Sequence, residues 1–333
     1  MTPGRKAAFA NAAVIAATVL IGLALFEVFC RTVVDDGMQY HIEMWKYAVA
    51  LKRPAADPAV GHEHRPNSAA YLMGTDVAVN AIGVRGSDVA KPKRPGTTRI
   101  AMLGDSVTLG WGVAQPATFS DVVQRRLNAR GIATETINLG VGNTNTVMEV
   151  AAFLNRIDQI DPDLVVLNYF INDAEPSPPP EAAPGWFARS LTMYPVLGGA
   201  WDGLKRRVLG APDWKTYYRD LYRGGAPGWV AAQAAVQRLA DVCRRRNIAL
   251  VMANIPELRE LAPYPFGQVN DYITTLAASE SLSLLDLLPV LARERPADLW
   301  VTAPDPHPNA RAHALIGEAM ADWMIERRLV RAP

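Results

Sequence analysis

Cysteine is almost absent from this chain. Cys30 and Cys243 are the only two in 333 residues, too few and too far apart for a disulfide framework, so both read as unpaired thiols. A charge excess is missing too: 34 basic residues face 33 acidic ones, a net charge of +1. That balance argues against a nucleic-acid binder, whose surface carries a clear basic excess. No internal repeat is found. No Gly-x-Gly-x-x-Gly or Walker-type loop follows the first strand, which sets a nucleotide-binding α/β protein aside. Half of the residues are hydrophobic and a fifth charged, so a sizeable core is expected and wholesale disorder excluded.

One long apolar run stands out. From Ala7 to Phe26 only Asn11 and Thr18 are notably polar, and a helix needs about 20 apolar residues to cross the hydrocarbon core. Arg5 and Lys6 precede the run; Asp35 and Asp36 follow it. The positive-inside bias then predicts a cytoplasmic N-terminus with the remaining chain outside. A cleaved signal peptide needs a shorter run and small residues at the cleavage site. Bulky residues occupy Leu25 to Cys30, with Phe29 directly before the cysteine, so an uncleaved anchor is expected. Beyond it, Met38, Ile42, Trp45 and Val49 recur at near-helical spacing. They predict an amphipathic juxtamembrane helix packed on the domain, with Glu43 and Lys46 on its polar face.

The stretch from Arg53 to Gly96 reads as a loop-rich lead-in with short strands such as Asp76 to Val79. Strands and helices then alternate. Strands are expected at Thr98–Leu103, Thr134–Leu139, Leu164–Tyr169, Ala249–Asn254 and Leu282–Leu285. Helices are expected at Phe119–Arg130, Asn145–Ile160, Trp229–Arg246, Gln268–Ser281 and Asn309–Arg328. This pattern predicts an α/β fold, a doubly wound parallel five-stranded sheet with its site at the carboxyl ends of the strands. Pro176, Pro178, Pro179, Pro180 and Pro184 open an insertion of short helices at about 174–228. Its aromatics, Trp186, Tyr194, Trp201, Trp214, Tyr217, Tyr218 and Tyr222, suit either a substrate wall or a small core of the insertion itself. The expected organisation is therefore a stub and transmembrane anchor over 1–30, a juxtamembrane helix and lead-in over 31–96, and the α/β domain over 97–333.

Four segments at successive strand ends carry chemistry. Gly104-Asp105-Ser106 exposes a serine where a strand gives way to a turn, and its N–H can face a developing oxyanion. Asn138-Leu139-Gly140-Val141-Gly142-Asn143 offers glycine, whose backbone can approach a ligand closely. Asn168-Tyr169-Phe170-Ile171-Asn172-Asp173 supplies an amide donor. Asp305-Pro306-His307-Pro308-Asn309 holds a histidine between two prolines just before the last helix, suited to take a serine proton. Each has a plain alternative: a capping serine, a helix-starting turn or an Asx turn. His62-Glu63-His64 has the spacing of half a metal site but lacks further ligands; it reads as a surface loop, and no metal or cofactor is expected. His313 reads as a solvent-facing helix residue.

Taken together and in this order, the four segments resemble the SGNH/GDSL hydrolase family over roughly Arg99 to Leu329. The lead-in Asn80-Ala81-Ile82-Gly83-Val84-Arg85-Gly86 is similar to that of its membrane-anchored bacterial members. The resemblance implies a flavodoxin-like fold, Ser106 as nucleophile, His307 as base and Asp305 as acid. It implies an oxyanion hole from Ser106, Gly142 and Asn172, with Asp105, Trp111 and Asn143 lining the substrate. Two positions depart from the family. Phe170 replaces the glycine of the third block, and Pro304 occupies the position of the acid three residues before the histidine. Asp305, two before, reaches the ring only if a turn at Pro306 brings it there; otherwise a Ser–His dyad oriented by a backbone carbonyl remains. The resemblance further implies an esterase acting on O-acyl groups, acetyl among them, of cell-envelope or exported polysaccharide. An O-acyltransferase would use the same residues, and a non-catalytic glycan-binding scaffold would share the fold. The expected location is the bacterial inner membrane, single-pass, with the domain on the periplasmic side and no nucleic-acid partner.

Overall fold

Ile100 and Met102 face one way along the first strand and Ala101 and Leu103 the other, and all four are buried. A strand buried on both faces needs cover on both. In the computed structural model, which describes residues 3–178 and 185–330, that cover is helical. The expected breaks at Pro179, Pro180 and Pro184 lie outside the described residues. The strands are β1 (Thr98–Leu103), β2 (Thr134–Asn138), β3 (Leu164–Tyr169), β4 (Ala249–Asn254) and β5 (Ser283–Asp286). They pair in parallel in the order β2-β1-β3-β4-β5, the flavodoxin-like arrangement expected of the sequence.

Ala101, Leu103, Val165 and Leu167 meet Phe153, Trp229, Val236 and Ile273, from the helices Thr146–Leu154, Pro227–Arg245 and Gly267–Ser279. Ile100, Met102, Leu164 and Val166 meet Phe119, Val123, Ile316 and Met320, from the helices Phe119–Ala129 and Ala310–Glu326. Each such fully buried aliphatic side chain contributes about 1.5–3 kcal/mol. The helix expected over Asn145–Ile160 is broken: Thr146–Leu154 ends and a short turn, Ile157–Ile160, follows. After the sheet, β6 (Trp300–Thr302) and β7 (Asp305–Pro308) form an antiparallel ribbon that feeds the last helix. Asn309 caps that helix, its side chain accepting from Arg311 N and Ala312 N.

The chain divides into two compact units, residues 47–182 with 212–333, and residues 1–46 with 183–211. The first holds the sheet. The second holds the apolar helix Pro3–Phe29 and, overlapping it, a helical stretch Ala7–Val34 long and apolar enough to cross a membrane. It also holds the helix Met193–Leu209, far longer than the short helices expected of the insertion. The insertion's aromatics separate accordingly. Tyr222 is buried and Trp214 and Tyr218 pack on the sheet's core, whereas Trp186, Tyr194 and Trp201 are exposed. These three therefore form no core of the insertion. The juxtamembrane helix spans Tyr40–Leu51, with Ile42, Glu43, Tyr47 and Leu51 buried. Glu43, expected on its polar face, is instead covered, its charge matched by Lys46 at 2.7 Å.

Candidate active site

The first strand stops at Leu103 because Gly104 turns the chain with φ +154. A Cβ there would stand 2.0 Å from Thr108 Oγ1, so no larger residue fits. Asp105 caps the short helix Ser106–Leu109, its Oδ1 accepting from Val107 N at 2.8 Å. Ser106 thereby occupies the first helical turn, where backbone N–H groups lack intrahelical acceptors.

Ser106 Oγ lies 2.9 Å from His307 Nε2, and His307 Nδ1 lies 2.5 Å from Asp305 Oδ1. The spacing of two residues is bridged locally. Asp305 Oδ1 also accepts the backbone N–H of His307 at 3.1 Å, an Asx turn that folds the carboxylate forward along its own chain. Trp111 Nε1 donates to Asp305 Oδ2 at 3.0 Å. The carboxylate is 1% exposed. Burial pushes its pKa up, but the hydrogen bonds and charge of His307 outweigh this and hold it below the usual value. The ribbon and the Asn309 cap restrain His307 from both sides: Asn309 N donates to Leu299 O at 2.8 Å.

At the end of β2, Asn138 donates Nδ2 to Thr108 O at 2.8 Å and accepts Gly140 N at 3.0 Å. Gly140 packs so closely on the Ser106 helix that a Cβ would come within 2.1 Å of Leu109 N. Gly142, expected to donate into an oxyanion hole, gives its N–H to the hydroxyl of Tyr47 at 2.8 Å. The carbonyl of Gly142 lies 3.1 Å from Lys52 Nζ and 3.0 Å from His62 Nε2. The next residue, Asn143, is exposed with φ +63, a left-handed conformation that asparagine tolerates.

At the end of β3, Asn172 sits on the turn Ile171–Ala174. Its Nδ2 donates to Asp105 Oδ2 at 3.1 Å, which uses one of two amide hydrogens. Phe170 has φ −123 and ψ 157, ordinary extended backbone, so replacing glycine there imposes no strain. Its N–H donates to Asp173 Oδ2 at 2.7 Å. Burial raises the pKa values of Asp105, Asp173 and Glu149, and repulsion from Asp105 adds to this for the last two.

Several expectations need correction. His62 and His313 are placed differently from expectation, while Asp105 and Trp111, expected to line the substrate, are each 2% exposed and hydrogen-bond Asn172 and Asp305. His62-Glu63-His64 is no surface loop but a strand paired with Lys52–Pro54. His64 is buried, its Nε2 2.7 Å from Tyr47 Oη, and burial lowers its pKa to about 3. His313 faces no solvent: it is fully buried, stacks on Phe119 and accepts Phe119 N at 2.9 Å. Sequence reasoning also missed Arg85, buried with its guanidinium on the carbonyls of Leu109, Gly110 and Val113. Its only signal was its place in the lead-in motif.

No curated protein matches the chain in sequence. Among solved structures, it is similar to the lipase/acylhydrolase from Enterococcus faecalis, at 15% identity over 71% of this chain and 98% of that one, with a TM-score of 0.44. It is similar also to the esterase EstA from Pseudoalteromonas sp., at 17% identity over 70% and 98%, TM-score 0.43. A third similar structure is an acetyl xylan esterase, at 18% identity over 68% and 98%, TM-score 0.38. Residues 102–315, which contain all four motif segments, match the GDSL-like lipase/acylhydrolase family. The chain belongs to that family of hydrolases acting on ester bonds.

Proposed function

We propose that the chain is a membrane-anchored serine esterase acting on O-acyl groups, acetyl above all, through an acyl-enzyme on Ser106. The observation that carries this reading is the continuous line Ser106 Oγ, His307 Nε2, His307 Nδ1, Asp305 Oδ1, with steps of 2.9 and 2.5 Å. Ser106 attacks the ester carbonyl as His307 accepts its proton, and Asp305 steadies the imidazolium that forms. His307 then returns the proton to the leaving alcohol, and water activated by the same ring releases the acid. The Ser106 N–H and the second amide hydrogen of Asn172 stabilise the oxyanion, each such donor being worth about 2.7–4 kcal/mol. Gly142, whose N–H is held by Tyr47, joins them only if that bond opens.

The apolar Ala7–Val34 stretch supports a single-pass anchor in a bacterial inner membrane. Arg5 and Lys6 before it and Asp35 and Asp36 after it favour a periplasmic domain, where polysaccharide esters of the envelope are accessible. The test is hydrolysis of p-nitrophenyl acetate together with fluorophosphonate labelling. The wild type should turn over and label at Ser106, while Ser106→Ala and His307→Ala should not turn over. A wild type that neither turns over nor labels would overturn the esterase reading.

A further inference from the structure

The helix Met193–Leu209 carries an apolar stripe that its own unit leaves uncovered. Tyr194, Leu197, Trp201, Leu204 and Val208 recur at alternating three- and four-residue spacings, the pattern of one helical face. They are between 50% and 70% exposed. The opposite face packs over the first turns only: Val196 and Gly199 are partly covered, and the His41 ring lies so close that a Cβ on Gly199 would stand 3.0 Å from it, whereas residues 200–209 are exposed on every side. The stripe is thus uncovered along its whole length. Just ahead of it, Trp186 and Phe187 are 69% and 70% exposed. Apolar surface on this scale marks an interaction site rather than ordinary solvent-facing surface.

The same helix is fastened to the end of the apolar N-terminal helix. The carboxylate of Glu27 accepts from Thr192 N at 2.9 Å and Met193 N at 2.8 Å, closing off the helix start. Arg31 Nη2 donates to Ser190 O at 2.7 Å, and Trp45 Nε1 donates to Ala188 O at 2.6 Å. Residues 27 and 31 lie at the outer end of the Ala7–Val34 stretch, the level at which a spanning helix leaves the hydrocarbon. The composition suits that depth. Trp186, Tyr194 and Trp201 are residue types that settle at the membrane–water boundary. Arg189, Lys205, Arg206 and Arg207 outnumber the single acid, Asp202, between residues 185 and 210.

We propose that the Met193–Leu209 helix lies in the interface of the bilayer that holds the N-terminal helix, with its Tyr194–Val208 stripe sunk among the lipids. It rests on the anchor reading above and adds a second contact with the same membrane. A spanning helix alone leaves the attached chain free to swivel. An in-plane helix joined to its end removes that freedom and sets the unit at a defined height.

The test uses the full chain reconstituted in vesicles of phosphatidylethanolamine and phosphatidylglycerol, with Cys30→Ala and Cys243→Ala as background. An environment-sensitive fluorophore is placed through Leu197→Cys or Leu204→Cys on the stripe, Arg206→Cys on the polar side, or Val14→Cys in the N-terminal helix. The stripe positions should be quenched by lipids bearing a nitroxide near the headgroup. Their iodide quenching constants should be several-fold below that of Arg206→Cys. Stripe positions as open to iodide as Arg206→Cys would overturn the proposal, and so would positions shielded from both quenchers, which would indicate a protein contact. Quenching of Val14→Cys by a deep-chain nitroxide reports the anchor separately. If that quenching is absent, the anchor reading itself has failed; if it is present while the stripe remains in water, only the second contact has.

Discussion

The hydroxyl of Tyr47 accepts the backbone N–H of Gly142 at 2.8 Å and stands 2.7 Å from His64 Nε2. A residue before the first sheet strand thus holds the turn that follows the second. Tyr47→Phe removes the oxygen and leaves a buried N–H unpaired. A loss of about 1–3 kcal/mol is expected in chemical denaturation followed by tryptophan fluorescence. Tyr71→Phe, at an exposed position, should change nothing.

Asp305→Asn should lower kcat for p-nitrophenyl acetate by roughly 10²- to 10⁴-fold with little change in KM, because the amide no longer stabilises the imidazolium. Activity close to wild type would point instead to a serine–histidine dyad.

Asn172→Ala should cost roughly 10²- to 10³-fold in kcat if its free amide hydrogen reaches the oxyanion. Asn172 also braces Asp105, so the thermal midpoint is measured in parallel. A fall in stability with unchanged kcat would assign it to support alone.

Gly140→Ala places a methyl group 2.1 Å from the backbone nitrogen of Leu109. Backbone cannot yield as a flexible side chain would, so destabilisation at or above the usual overpacking cost of about 1–3 kcal/mol is expected. Gly267→Ala, with no positive φ and no atom within 4 Å of its added Cβ, is the control without the clash.

Burial lowers the pKa values of His64 and His313 to about 3 from 6.5. Both are neutral in the fold, so their contribution is intact above pH 6.5. As pH falls below that value the unfolded chain takes up protons that the folded chain refuses, and stability declines toward pH 3. The slope should be about 1 kcal/mol per pH unit for each histidine. Denaturation midpoints between pH 7 and 4 should therefore fall less steeply in His313→Gln than in the wild type.

Much of the fold was legible in sequence because burial leaves a local record. The continuous apolar run Leu164–Val165–Val166–Leu167 and the alternating helical patterns stated the sheet and its cover without reference to any distant residue. Three of the motif segments were legible for a similar reason: each is a short stretch at the end of β1, β2 or β3, and parallel topology carries those ends to one edge; the fourth lies on the β6–β7 ribbon just before the last helix. Helix boundaries were less certain where caps compete, as at Asn155 and Arg156, where the expected helix breaks.

Contacts across the chain were decided only in three dimensions. His313 and His64 carry nothing in their neighbouring residues that separates a solvent-facing ring from a buried acceptor; Phe119 and Tyr47 settle that from far away. Asp305 reaches His307 because its carboxylate curls onto its own backbone while Trp111, 194 residues earlier, holds its other oxygen. Sequence patterns by themselves determined which segments would be strands, helices and strand-end motifs, since periodicity and turn chemistry act over a few residues. Which donors are free and which are already engaged, as with Gly142 and Tyr47, was decided by the tertiary structure, because hydrogen bonds are satisfied by whatever the fold brings within about 3 Å.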